Sequence, residues 1–229
     1  MATKDKMVIY SKVQRFLEKH KDDYDRFEIQ GVLDYAKESN IELIAKTDLI
    51  RGIYDELGYI PDDLNIYKIF TEIIDDQFGL NGKRICEVGG GVIPSLAKKI
   101  HLKQKKGNIM VYDPRLSQKE RGGRRFLLKR EFFHKHTPVE EVDLLIGLMP
   151  CEGSDPLIEN ALCHQKDFMI WLCEGGPHGD YFDFYESDDE WLNSTLSRVE
   201  YSVNKNQMGK LKVLNYPTFS DYPIIYNER

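Results

Sequence analysis

The chain has 229 residues, of which 41% are hydrophobic and 31% charged, and its formal net charge is −6. These values suit one large α/β domain, or a core domain with a smaller appendage, and exclude collagen-like and disordered classes. The charged N-terminus has no apolar signal core, no apolar run approaches the roughly 18 residues of a membrane span, and the four cysteines lack zinc-like spacing. We therefore predict a cytoplasmic protein without a membrane association.

Residues 1–80 are predicted to be helical. Apolar residues recur at helical spacing in four stretches, near residues 7–17, 30–37, 47–57 and 63–78, and no strand pattern interrupts them. We interpret this segment as an appended helical cap that covers a ligand cleft and helps to select the substrate. Its aromatic residues could line a substrate pocket, although aromatic residues at this spacing are more typical of a core: Tyr54, Tyr59, Tyr67 and Phe70.

From residue 81 onward, strands are predicted to alternate with helices, which indicates a parallel sheet with crossover connections. The predicted elements are strands at 84–88, 108–112, 130–133, 143–147 and 168–173, with helices near 94–100 and from Ser117 and Asp155. Two alternating runs, 198–203 and 210–216, then predict an antiparallel hairpin. The predicted fold of residues 81–229 is therefore a Rossmann-like, doubly wound α/β sheet, mostly parallel, with a C-terminal antiparallel hairpin.

The most informative segment is a glycine-rich turn after the first predicted strand. Gly89, Gly90 and Gly91 follow the strand directly, and a predicted helix leaves the turn. Glycine lets the backbone turn sharply and lets a ligand approach without a Cβ clash, while the helix N-terminus offers free N–H groups. A ligand is therefore expected at this turn.

Asp113 ends the next predicted strand, 22 residues after Gly91. An acid at this place in a doubly wound fold accepts hydrogen bonds from a ribose diol. Together, the turn and the acid predict an adenosine-type ligand at the carboxyl edge of the sheet.

A dinucleotide is the main rival for this site. The dinucleotide fingerprint needs glycine or alanine where this chain has Pro94, and proline removes an N–H near the expected pyrophosphate. Glu87, two residues before the first glycine, would repel a pyrophosphate but would suit a cationic ligand.

Glu87-Val-Gly-Gly-Gly91 together with Asp113 resembles motifs one and two of the class I S-adenosylmethionine-dependent methyltransferases. The resemblance covers roughly residues 82–216 and implies that S-adenosylmethionine is the cofactor. It also implies that Glu87 lies near the amino-acid end of the cofactor and that Asp113 holds the ribose. The full set of expected cofactor-binding residues is Glu87, Gly89, Gly90, Gly91, Asp113, Pro114, Gly147 and Met149.

The resemblance also implies that the loop after the fourth strand faces the transferred methyl group. That loop reads Met149-Pro-Cys-Glu152 and lacks the Pro-Pro box of many amino-group methyltransferases. Cys151 follows a proline, as the nucleophile of cytosine-C5 DNA methyltransferases does, but the rest of that pattern is missing. A general base is needed only if the acceptor must lose a proton, and four residues could supply one: Glu152, Asp155, Glu174 and His178.

Three further patterns could mark sites. The loop 174–180 contains glycines that would permit close approach of a substrate. His134 and His136 could meet a metal, but no carboxylate cluster supports one, and no metal site is predicted. Residues 98–135 carry 13 Lys and Arg against 3 Asp and Glu, including Arg121, Arg124 and Arg125, so this segment could contact nucleic acid.

The sequence thus favours a methyltransferase acting on a small molecule and leaves three alternatives. One is an RNA methyltransferase, drawn to its substrate by the basic segment 98–135. Another is an enzyme that transfers the aminocarboxypropyl group of the same cofactor, because Gly91–Ser95 faintly resembles the turn of nicotianamine synthases. The last is a cofactor-binding module without catalysis.

Overall fold

A computed structural model of the chain describes residues 3–38, 40–173 and 185–229. The segment before the sheet is helical, as predicted, and it contains one short helix, Ile41–Lys46, that the apolar pattern did not reveal. Its helices are α1 (Thr3–Lys19), α2 (Arg26–Glu38), α3 (Ile41–Lys46), α4 (Asp48–Glu56) and α5 (Ile66–Phe78). Asn40 and Asn65 cap α3 and α5 through their side-chain oxygens, which accept hydrogen bonds from backbone N–H groups.

The described residues after α5 form one seven-stranded sheet with flanking helices. Its strands are β1 (Arg84–Val88), β2 (Asn108–Tyr112), β3 (Phe126–Lys129), β4 (Leu144–Leu148), β5 (Asp167–Trp171), β6 (Lys210–Leu214) and β7 (Ile224–Glu228). They lie in the order β3-β2-β1-β4-β5-β7-β6, with β1 to β5 parallel and β7 antiparallel to both β5 and β6. The described helices in this part are α6 (Ser95–Lys103), α7 (Ser154–Cys163) and α8 (Asp188–Lys205). This strand order confirms the predicted Rossmann-like fold with an antiparallel C-terminal hairpin.

The hairpin was assigned to the wrong residues. Residues 198–203 belong to α8, and β6 pairs with β7 instead. Val199 and Val203 are both fully buried and lie four residues apart, so one helix face explains an apolar pattern that also fits a short strand. The Ser187 side chain accepts a hydrogen bond from the Glu190 N–H and fixes the start of this helix.

Two other local predictions were also wrong. The third strand is Phe126–Lys129 rather than 130–133, because Phe126, Leu127 and Leu128 supply its pairing with β2. No helix begins at Ser117. The Ser117 hydroxyl lies 2.6 Å from Oδ2 of Asp23, at the end of the α1–α2 connection, and accepts a hydrogen bond from the Lys119 N–H. The side chain therefore ties the β2–β3 connection to the N-terminal helices.

The core consists of two apolar layers on the faces of the sheet and a third cluster within the N-terminal helices. Val92 and Ile93, which follow the glycine turn, belong to the third cluster together with Ile50 and Ile53 of α4. The Lys99 ammonium of α6 also donates to Asp55 of α4 at 2.7 Å. The helical segment is thus packed directly onto the β1–α6 connection. None of the described helices is long and apolar enough to cross a membrane.

Candidate functional site

A cavity of about 640 Å³ lies along the carboxyl edge of the sheet, over the ends of β1 to β4. This volume lies in the range of small-molecule and cofactor sites. Its floor and sides come from the connections after four neighbouring strands, and its roof comes from the N-terminal helices. The residues that line it include Tyr24, Arg51, Tyr67, Glu87, Gly89, Gly90, Gly91, Asp113, Pro114, Arg115, Phe132, Phe133, Met149, Pro150, Cys151 and Glu152.

The glycine turn after β1 requires its glycines for two different reasons. Gly89 and Gly91 have φ values of 79° and 69°, in the left-handed region that residues with a Cβ avoid. A Cβ on Gly89 would lie 2.7 Å from Cα of Pro150, and a Cβ on Gly90 would lie 2.4 Å from Cγ1 of Val111. The turn therefore packs tightly against both β2 and the loop after β4, and a side chain at either position would force them apart.

Asp113 follows β2 and is held next to the glycine turn. Its Oδ2 accepts a hydrogen bond from the Gly91 N–H at 2.8 Å, and its Oδ1 accepts one from the Arg115 N–H at 2.7 Å. A carboxylate has about four acceptor positions, so two remain after these bonds. The side chain is only partly buried and lines the cavity, so it can accept hydrogen bonds from a diol there.

Glu87, in β1, is a buried acid in the cavity wall. Glu87 is only 2% exposed, and its Oε2 has no hydrogen-bond partner among the described residues. Burial raises the pKa of Glu87 to about 8, the charge of Asp113 adds to the rise, and the Ala97 backbone N–H opposes it. A cation in the cavity would stabilise the ionised form and satisfy the unpaired oxygen.

Seven of the eight residues expected at the cofactor line this one cavity, and Gly147 does not. Gly147 lies within β4, where a Cβ would meet Cγ of Pro150 at 2.9 Å and Cδ1 of Leu157 at 3.0 Å. It lets the loop after β4 fold back over its own strand. Met149, in that loop, has a φ of 50° and donates its N–H to the Trp171 carbonyl at 2.8 Å, which holds it at the cavity edge.

The four candidate bases are not equivalent. Glu152 lines the cavity and is exposed. Asp155 lies in the first turn of α7 and is not among the residues that line the cavity. It pairs with Arg198 at 2.9 Å, and burial raises its pKa. Glu174 and His178, like the rest of the loop 174–180, lie outside the described residues. Of the four candidate bases, Glu152 is therefore the one that the described part of the chain brings to the cavity.

Cys151 lies in the cavity wall beside a second cysteine. Its Sγ lies 3.3 Å from Sγ of Cys173 and 3.6 Å from the Met149 carbonyl oxygen. Among the residues that the structure describes, no group of three or more His, Cys, Asp and Glu side chains could hold a metal ion.

Most residues of the roof and of one end of the cavity are not predicted from the sequence. Tyr24 lies in the α1–α2 connection, and Arg51 and Tyr67 lie in α4 and α5. Arg115, Phe132 and Phe133 follow β2 and β3. Of the four aromatic residues considered for a pocket, Tyr67 lines it, whereas Tyr54 and Phe70 are buried in the core. The position of Phe132 and Phe133 just beyond β3 would have been a usable signal if the strand had been placed correctly.

No protein-family model matches the sequence, and no curated protein sequence matches it. The structure is nevertheless similar to solved structures of other proteins. A putative S-adenosylmethionine-dependent methyltransferase from Methanococcus maripaludis is 15% identical, with a TM-score of 0.46, and the match covers 84% of this chain and 92% of that one.

Two further solved structures are similar at the same level. The plantazolicin methyltransferase, in complex with S-adenosylhomocysteine, is 10% identical with a TM-score of 0.44, covering 89% of this chain and 100% of that one. The magnesium protoporphyrin IX methyltransferase of Synechocystis is 12% identical with a TM-score of 0.44, covering 71% and 78%. Similarities this distant say nothing about the reaction, and the fold is assigned from the strand order itself.

Proposed function

We propose that this protein is an enzyme that binds S-adenosylmethionine in the cavity and transfers its methyl group to a small-molecule acceptor. One observation carries the proposal: Glu87, the glycine turn and Asp113 meet in one cavity at the carboxyl edge of the sheet. Asp113 would bind the ribose hydroxyls, and the cationic end of the cofactor would lie towards Glu87. The aromatic rings of Phe132 and Phe133 would flank the adenine.

A dinucleotide fits the same cavity less well. Its pyrophosphate would bring two negative charges beside Asp113 and would offer no positive charge to the buried Glu87, whose pKa burial already raises. Pro94 stands at the start of α6, where it offers no N–H to a phosphate. A sulfonium and an ammonium, by contrast, would relieve the cost of burying the Glu87 carboxylate.

Methyl transfer requires few catalytic groups from the protein. Bound S-adenosylmethionine would supply a methyl group that its sulfonium already activates, with S-adenosylhomocysteine as the leaving group when a lone pair of the acceptor displaces it. Holding the acceptor in line supplies most of the rate enhancement. If the acceptor atom carries a proton, Glu152 is positioned at the cavity edge to accept it.

The basic segment 98–135 gives little support to an RNA substrate, because many of its cations are already engaged within the protein. Lys98 pairs with Glu56 and Glu120, and Lys99 pairs with Asp55. Other members bind acidic side chains or backbone carbonyl oxygens: Lys103, Arg115, Lys119, Arg125 and Arg130. The ion pairs offset part of the positive charge that a phosphate backbone would meet, and the carbonyl contacts occupy guanidinium donors that could otherwise bind phosphate.

Calorimetry with S-adenosylhomocysteine and with NAD tests the cofactor. We expect the first ligand to bind and the second not to bind, and the reverse result would refute the proposal. A second assay identifies the group that is transferred, since release of S-adenosylhomocysteine indicates methyl transfer and release of methylthioadenosine indicates aminocarboxypropyl transfer. Cofactor binding without turnover on any acceptor would leave a binding module, and steeply salt-dependent retention on RNA would favour the RNA alternative.

A further inference from the structure

Two cysteines meet at the edge of the cavity, although they lie 22 positions apart in the chain. Cys151 follows β4 and Cys173 follows β5, the neighbouring parallel strand, and their Sγ atoms are 3.3 Å apart. Both side chains are thiols in this structure. A disulfide bond is about 2.05 Å long, so small rotations of the two side chains would bring the sulfurs to bonding distance.

The backbone around both cysteines is held in place. Met149 donates its N–H to the Trp171 carbonyl oxygen at 2.8 Å, which joins the loop after β4 to the end of β5. Leu172 is fully buried and donates its N–H to the Pro223 carbonyl oxygen at 3.1 Å. Cys151 has a φ of 47°, a conformation that a residue with a Cβ keeps only where the surrounding packing dictates it. The short distance between the sulfurs therefore follows from the packing of the backbone.

The two thiols differ in accessibility. Cys151 is exposed and lines the cavity, whereas Cys173 is only 8% exposed. A small-molecule disulfide can therefore reach the first sulfur from solvent. The second sulfur is shielded from the reagent but lies next to the first, where it can displace a group bound there.

We infer that Cys151 and Cys173 form a reversible disulfide that fixes the loop after β4 to the end of β5. The Cys151 thiolate attacks one sulfur of a small-molecule disulfide, such as oxidised glutathione, and one glutathione leaves. The Cys173 thiolate then attacks Sγ of Cys151, and the second glutathione leaves. The two protein thiols lose two electrons and two protons, and the two released glutathione molecules carry these away as thiols.

The disulfide would act as a redox switch in the cavity wall. The loop that it fixes also carries Pro150 and Glu152, both of which line the cavity. In a reducing compartment the pair stays as thiols, and hydrogen bonds and packing alone hold the loop. Oxidation adds a covalent link, so the backbone amides of residues 149–153 should exchange their hydrogens more slowly. This inference does not depend on which ligand occupies the cavity.

The test is a redox titration of the folded protein. The protein is equilibrated with mixtures of reduced and oxidised glutathione, the remaining thiols are alkylated, and the linked peptides are identified by mass spectrometry. The variants are Cys151→Ser and Cys173→Ser. Cys163→Ser is the matched control, because Cys163, at the end of α7, is also an exposed thiol.

The unaltered protein and the control should each lose two hydrogens and yield peptides joined through Cys151 and Cys173. Cys173→Ser should instead retain one glutathione on Cys151, and Cys151→Ser should leave Cys173 reduced. Because the disulfide closes a loop that contains α7, the oxidised protein should need about 1 M more urea to unfold than the reduced protein.

Three results would overturn the inference. The first is the absence of the linked peptides from the oxidised protein. The second is a link that forms only when urea is present, since the folded arrangement would then not be its cause. The third is an oxidised protein with the same urea midpoint and the same hydrogen exchange in residues 149–153 as the reduced one.

Discussion

The backbone N–H of Gly91 donates a hydrogen bond to Oδ2 of Asp113 at 2.8 Å. This bond joins the connection after β1 to the connection after β2, so the glycine turn and the acid form one unit. Asp113 thus shapes the turn as well as offering acceptors to the cavity. Loss of its carboxylate should affect both the ligand and the backbone that surrounds it.

Asp113→Ala should lower the affinity for S-adenosylhomocysteine by about 10- to 100-fold, since hydrogen bonds from the ribose and from Gly91 are lost together. Asp113→Asn should lose less, because its amide oxygen can still accept. Calorimetry measures both changes. Asp76→Asn, at an exposed acid of α5 that is not among the cavity-lining residues, is the control and should bind like the unaltered protein. Equal affinity of Asp113→Ala and the control would remove Asp113 from the site.

Gly89→Ala and Gly91→Ala should lower the free energy of unfolding by different amounts. Both positions have a positive φ, so each substitution carries backbone strain of about 1–2 kcal/mol. A Cβ on Gly91 has no atom within 4 Å, whereas a Cβ on Gly89 would lie 2.7 Å from Cα of Pro150. Overpacking should therefore add a further ~1–3 kcal/mol for Gly89→Ala. Urea unfolding of the two variants measures the difference, and equal free energies of unfolding would contradict the close approach of the β4 loop.

The stability of the ligand-free protein should depend on pH through Glu87. Burial raises its pKa in the folded protein to about 8, above the ordinary value of 4.5, so the folded state holds a proton that the unfolded state releases. Between about pH 4.5 and 8, this group should make the free energy of unfolding fall by about 1.4 kcal/mol per pH unit as pH rises. The stabilisation is complete below pH 4.5 and is lost by about pH 8.

Glu87→Gln provides the comparison for this effect, because glutamine has nearly the same shape and does not titrate. Urea unfolding across pH 5–9 should show that the difference in stability between the variant and the unaltered protein grows with pH and levels off near pH 8. A constant difference across this range would mean that Glu87 does not keep its proton in the folded protein.

The N-terminal helices and the sheet should unfold together, because Ile53 of α4 packs with Val92 and Ile93. Ile53→Ala, at a residue that is 1% exposed, should cost about 2–5 kcal/mol. Leu102→Ala, at a residue that is 84% exposed, is the control and should change stability by less than about 0.5 kcal/mol. Circular dichroism reports on all the helices, whereas fluorescence reports on Trp171 and Trp191, both beyond residue 81.

In Ile53→Ala, the unfolding transitions measured by circular dichroism and by fluorescence should both move to the same lower midpoint temperature. Trp171 lies 5.8 Å from Phe70 of α5, between ring centres, so its fluorescence also senses the contact with the helical segment. Two separate transitions would support the division into independent domains at residue 81.

The parts of the fold that could be predicted are those that local patterns determine. The three glycines follow β1 directly, and Asp113 follows β2. The order of strands and helices along the chain is enough to predict that these residues meet at one edge of the sheet. The N-terminal helices have amphipathic faces long enough to be recognised. The parallel sheet follows from the alternation of such elements.

The remaining parts depend on tertiary contacts that no local pattern reveals. β7 contains Ile224, Ile225 and Tyr226, which are buried on both faces of the sheet and so lack the alternation of an exposed hairpin strand. Arg51 is a charged residue on a helix with an amphipathic pattern, which predicts an exposed side chain. It lines the cavity because α4 packs against the residues that follow the glycine turn.

The position of β7 between β5 and β6 has a consequence for the order in which the sheet can assemble. Among the described strands, β6 pairs with β7 alone, so β6 joins the sheet only through β7, although β6 comes first in the chain. The parallel strands β1 to β5 need neither of them, and until β7 pairs with β5 the backbone donors and acceptors along that flank stay open to another chain.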